Sequence, residues 1–167
     1  GKSSARRRVV AADGVSAVSG TASLQLQPFS ISAGETKVME IALTNPDDEM
    51  TLVQFDLLLP AGLTLADDGE ASVTSRAAWS HQLTTYASEG KVRCLLASGE
   101  NAVIEGTAGT VVRLAVTADN DFKGGTIVLQ NILGVSPSEV ETPIAARSYS
   151  LPEGGTTGIR SEERRVG

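Results

Sequence analysis

Residues 51–60 read TLVQFDLLLP. Val53, Phe55, Leu57 and Leu59 fall on one side of an extended chain, and Gln54, Asp56 and Leu58 fall on the other. That is a period of two, the spacing at which strand side chains return to the same face. Pro60-Ala61-Gly62 ends the run. Upstream, residues 36–45 alternate in the same way, with Met39, Ile41 and Leu43 inward and Glu40, Ala42 and Thr44 outward. Asn45-Pro46-Asp47-Asp48 then turns the chain, because Asn and Asp side chains bond their own backbone and Pro presets φ. Downstream, TVVRLAVTA at 110–118 places Val112, Leu114 and Val116 on one face, and its β-branched content favours a strand over a helix.

The remaining segments follow the same grammar. In 23–32, Leu24 and Leu26 share a side, Pro28 interrupts the ladder, and Phe29 and Ile31 resume the pattern. Residues 63–65 form a short strand, and 73–81 stay open between a strand and a helical turn. Residues 81–88 and 91–98 flank Glu89-Gly90, which reads as a hairpin with Val92, Cys94 and Leu96 on one face. Gly-punctuated 99–109 holds the short pair Val103-Ile104, and further strands are expected at 126–133 and 144–151. The fold class is therefore all-β, an antiparallel β-sandwich of about nine strands with no long helix. The sandwich is expected over 22–151, between a basic N-terminal segment (1–21), partly tail, and a flexible Gly/Thr-rich linker or tail (152–167).

A chain of 167 residues suits one domain. One Cys excludes a disulfide scaffold, and one His excludes poly-histidine zinc sites. No apolar run is long enough for a membrane span, and the first residues carry no apolar stretch of the signal-peptide kind. The net charge of −6 is unevenly spread. Lys2, Arg6, Arg7 and Arg8 crowd the start, leaving residues 9–151 with seven cations against 17 anions. Such an acidic body repels phosphate backbones, so no nucleic-acid partner is expected.

The residues offer catalysis little. His81 has no G-x-S-x-G nucleophile elbow to serve and reads as a loop residue. Cys94 lies on an apolar strand face, where a thiol is inert. Asp47-Asp48-Glu49, Asp67-Asp68 and the Asp119/Asp121 pair all fall in turns, where Asp is ordinary turn chemistry. They would be the sites for paired carboxylates or a loop calcium, but no complete calcium-loop motif is present. No cofactor, metal site or enzymatic activity is expected. Among the aromatics, Phe29, Phe55 and Phe122 read as core or strand ends, leaving Trp79, Tyr86 and Tyr149 as candidates for exposure. Arg76, Trp79, His81, Tyr86 and Arg93 concentrate within 76–93. Tyr, Trp and Arg are the types enriched at protein–protein hot spots, so these five are the candidate partner-binding residues.

The order of segments resembles cohesin-like modules, especially exported versions from gut Bacteroidetes. The likeness spans about residues 22–151 and rests on ISAGET (31–36), TNPDD (44–48), QFDLLLPAGL (54–63), ASGENAVIEGTAG (97–109) and KGGTIVLQNI (123–132). The resemblance implies a nine-stranded jelly-roll on the bacterial cell surface, extracytoplasmic and non-catalytic. It also implies protein–protein recognition or cell adhesion through one sheet face, against a dockerin-type partner supplied in trans. A carbohydrate-binding module and a ligand-free spacer domain are the alternatives.

Overall fold

The computed structural model describes residues 21–66 and 71–153. The basic cluster Arg6–Arg8, the pair Asp67-Asp68 and the tail from 154 onward lie outside the described residues. The described chain is all-β. Its strands are β1 (Ala22–Leu26), β2 (Thr36–Thr44), β3 (Leu52–Leu58), β4 (Leu63–Leu65), β5 (Ala71–Val73), β6 (Gln82–Ser88), β7 (Lys91–Ala97), β8 (Thr110–Ala118), β9 (Gly125–Val135), β10 (Glu141–Thr142), β11 (Ile144–Ala146) and β12 (Tyr149–Leu151).

They form two packed sheets. The first runs β11-β1-β2-β8-β4, with β5 also on β8; the second runs β10-β9-β3-β7-β6, with β12 also on β9. The inward residues expected of the alternating runs meet between the sheets. Met39, Ile41, Leu43, Val112, Leu114 and Val116 face Val53, Phe55, Leu57, Val92, Cys94 and Leu96, all essentially buried. Each fully buried Leu or Phe contributes roughly 1.5–3 kcal/mol by leaving water.

Twelve strands among the described residues replace the nine expected, for identifiable reasons. The 144–151 run splits, because the chain crosses between sheets at Arg147 and Ser148: β11 pairs with β1 and β12 with β9. The β1–β11 pair is parallel, the one departure from antiparallel pairing among the described residues, and no tight turn joins these two strands to force the opposite direction. Segment 73–81 is both things left open: β5 ends in it, and a helical turn follows, with His81 N bonding Ala77 O at 2.9 Å. Pro28 lacks an N–H, and β1 stops before it, after a last bond from Gln27 N to Glu40 O. The Val103-Ile104 pair is no strand. Ile104 is buried and its N–H reaches Met50 O at 2.8 Å.

Two glycines in KGG are demanded by close approach. Gly124 sits at φ +82, and a Cβ there would stand 2.5 Å from Leu151 O; one on Gly125, at φ +145, would stand 2.5 Å from Pro60 Cβ. This is where β12 docks on β9.

Candidate functional site

The turn leading from β5 into β6 is pinned from within. Thr74 Oγ1 donates to Thr110 O at 2.7 Å. Arg76 spends all five donors internally: Nε on Glu105 O, Nη1 on Leu43 O (2.7 Å) and Gly109 O (2.8 Å), and Nη2 on Asn45 Oδ1 (2.8 Å) and Gly106 O (3.0 Å). Burial lowers its pKa, because desolvation disfavours the charged guanidinium, and the acceptors around it oppose that shift. Asn45 completes the arrangement by donating from Nδ2 to Asp48 O at 2.8 Å. At the far end, His81 is buried, with Nε2 2.9 Å from Thr51 O and Nδ1 2.7 Å from Ser80 Oγ.

Arg76 and His81 are thus taken from the expected partner-contact set. His81 does lie in the loop before β6, as expected, but it is buried and not at the surface: the ring closes the space between the turn and the start of β3. What the pinned turn presents is Trp79, 94% exposed between inward-facing Ala77 and His81.

Tyr86 and Arg93 are brought together. They are opposite one another on β6 and β7, and Arg93 in turn faces Asp56 on β3. All three lie on the outer face of the second sheet, since their strand neighbours Val92, Cys94, Phe55 and Leu57 fill the core. Tyr86 is 70% exposed. Arg93 grips Asp56 by two bonds, Nε to Oδ1 at 2.7 Å and Nη2 to Oδ2 at 3.0 Å, and Asn131 Nδ2 donates to Oδ2 at 2.9 Å. Asn131 reaches in because it sits at φ 53 where β9 slips register against β3. The Arg93 hydrogen bonds hold the Asp56 carboxyl at about 2, overcoming its burial, with Asn131 helping. Half-buried Leu52, Leu58, Leu95 and Leu133 lie on the same outer face.

Asp56 and Asn131 were not among the candidates. Asp56 had a signal, one acid at an outward position of an otherwise apolar central run; Asn131 had none, because a bulge leaves no trace in alternation. Tyr149, a candidate for exposure, is half-buried: its ring stacks on Phe29 at 5.6 Å, and its hydroxyl accepts from Phe29 N (2.8 Å) and donates to Phe29 O (2.9 Å).

Cys94 is buried, and burial pushes its thiol up to about 12, with the nearby Asp56 charge acting in the same direction; no thiolate is available for nucleophilic work. In the turn after β8, Asp119 Oδ1 accepts from Asp121 N at 2.9 Å. Among the described residues no group of three or more His, Cys, Asp or Glu could hold a metal ion, and no helix is long and apolar enough to cross a membrane.

No protein-family model and no curated protein matches the sequence. Solved structures match with confidence. A cohesin module from a family 33 glycoside hydrolase of Clostridium perfringens superposes at TM-score 0.65 with 17% identity, over 80% of this chain and 96% of that one. The fold is that of cohesin modules. A type I cohesin from a cohesin–dockerin complex of Clostridium thermocellum gives 0.65 at 9% identity, over 83% and 97%. A non-cellulosomal cohesin from the archaeon Archaeoglobus fulgidus gives 0.64 at 11%, over 78% and 89%. At these identities the cohesin likeness carries the architecture alone.

Proposed function

We propose that this chain is a non-catalytic recognition module that binds a protein partner in trans through the outer face of the β10-β9-β3-β7-β6 sheet. The observation that carries the reading is the Tyr86–Arg93–Asp56–Asn131 row crossing that face. It is a charged pair fixed by three hydrogen bonds, bordered by leucines and an exposed tyrosine. Such a row combines the aromatic and arginine anchors of hot spots with a rigidity that lowers the entropy lost on docking. Arg93 Nη1 makes no hydrogen bond among the described residues, so one edge of the guanidinium is left to a partner. Trp79, at the entrance to β6, extends the surface.

A dockerin is the partner class the fold suggests, because two of the cohesins of like architecture from Clostridium thermocellum were solved in complex with dockerins. An extracytoplasmic place on a bacterial surface, in an exported protein of the Bacteroidetes kind, and a part in adhesion belong to the same reading. Titration against a panel of calcium-loaded dockerins and the secreted proteins of the producing bacterium tests it. Tyr86→Ala with Arg93→Ala should weaken the interaction at least about 30-fold, as hot-spot truncations do. Unchanged affinity would remove the face from the assignment. The exposed Trp79 also favours a carbohydrate ligand stacked on its ring. Binding to one polysaccharide family on a glycan array, lost on Trp79→Ala, would reverse the ranking.

A further inference from the structure

The sheet edges are unequally protected. In the first sheet the outermost strands β4 and β11 are three residues each. In the second sheet the outer side of β9 is covered at one end by β10, on Gly134 and Val135, and at the other by β12, on Gly125 to Ile127. Short or covered edges are how sandwiches avoid pairing with other chains. The opposite edge of the second sheet is paired by no strand among the described residues, although β5 of the first sheet passes near it. That edge is β6, seven residues reading QLTTYAS, with no proline and no charged side chain. Its ladder to β7 is regular from Gln82 to Ser88 without a bulge. Among the described residues no backbone hydrogen bond reaches β6 from its other side.

The sequence of β6 is also self-complementary. Turned antiparallel on a two-fold axis through Thr85, the strand sets Gln82 against Ser88, Leu83 against Ala87, Thr84 against Tyr86, and Thr85 against itself. The face of each residue is preserved. Leu83, Thr85 and Ala87 stand opposite inward-facing Leu96, Cys94 and Val92, whereas Gln82, Thr84, Tyr86 and Ser88 share the outer face with Arg93. Each opposition is a favourable cross-strand type: polar with polar, apolar with apolar, aromatic with β-branched, and hydroxyl with hydroxyl.

We infer that β6 is a self-association edge, and that its occupant is β6 of a second copy of this chain, joining the two second sheets into one continuous sheet. The contact is isologous, so it closes at two copies. It uses the backbone edge of β6 and does not depend on the partner face proposed above. One strand pair is a small interface, so the dissociation constant belongs on the order of micromolar. The net charge of −6 opposes association, so added salt should tighten the dimer by screening it.

Sedimentation equilibrium of the full chain should show its mass rising with concentration from 17.3 kDa to twice that. Gln82→Lys with Ser88→Lys puts like charges opposite each other at both ends of the pair and should hold the chain folded at 17.3 kDa, with a slightly lower melting temperature because Ser88 also faces Lys91 on β7. The reverse variant, Gln82→Glu with Ser88→Glu, should also be monomeric, and an equimolar mixture of the two should recover the dimer. Wild-type chain that stays at 17.3 kDa throughout overturns the inference, as does a lysine variant that dimerises like wild type or a mixture that fails to recover the dimer.

Discussion

Asp56 is a buried carboxylate on the outer face of a sheet, and its energetics follow from its three donors. Its pKa is held at about 2 against an ordinary 3.8, chiefly by Arg93. A depressed carboxylate pKa adds stability that is fully present above the unfolded value and is lost as pH falls through the folded one. Asp56 therefore makes the protein acid-sensitive between about pH 4 and pH 2. Asp56→Asn should cost about 1–2 kcal/mol at neutral pH, the lower part of the range for charged hydrogen bonds because Arg93 is half exposed. Urea unfolding at stepped pH checks both parts, with the variant losing less stability than wild type across that window; parallel curves would refute the assignment. Arg76 and His81 teach a related lesson. Residue types that mark hot spots also make good internal staples, and only the partners distinguish the roles. Arg76 finds five acceptors, one at the end of β2 and four in loops, that are 29 to 33 positions away in the chain, which local sequence does not show.

At the scale of elements, the β6–β7 hairpin follows directly from Glu89-Gly90. Both residues take positive φ, 53 and 82, as the two-residue turn that matches strand twist requires. Gly adopts that conformation freely, whereas Glu is held there at a cost. Glu89→Asn should stabilise the protein by about 0.5 kcal/mol, since Asn tolerates the left-handed region better, and a higher urea midpoint at unchanged slope is the expected reading. A fall in midpoint would mean that the Glu89 side chain contributes something the turn geometry does not show. The same element shows what alternation can and cannot convey. The long runs 36–45, 51–60, 91–98 and 110–118 were legible because one face of each is buried and a one-residue slip would turn that face to water. The strand β10 and the split of 144–151 into β11 and β12 were not, and β5 was only an open alternative, because these pieces are two or three residues long and set by pairing with distant partners. The proposed contact face was half legible. Tyr86 and Arg93 stand out by type, but their meeting with Asp56 and Asn131 depends on a register between strands and a bulge.

The molecule as a whole is closed by its last strands. β11 completes the first sheet beside β1, and three residues after it Tyr149 begins β12 on the second. Tyr149 then fastens both hydrogen-bonding groups of Phe29, 120 positions earlier, with one hydroxyl. A contact of such sequence separation costs much loop entropy, so it should form late in folding, after the sheets it joins. Tyr149→Phe keeps the stacked ring and removes only the two hydrogen bonds, leaving a half-buried N–H and C=O without protein partners. The expected loss is about 1–2 kcal/mol, a fall of roughly 2–8 °C in melting temperature for a domain of this size. Because the contact is absent from the transition state, the loss should appear almost wholly as faster unfolding, with the refolding rate unchanged. Stopped-flow chevrons decide the point. A slowed refolding limb would place the closure in the folding nucleus, and two identical chevrons would mean that water replaces the hydroxyl at no cost.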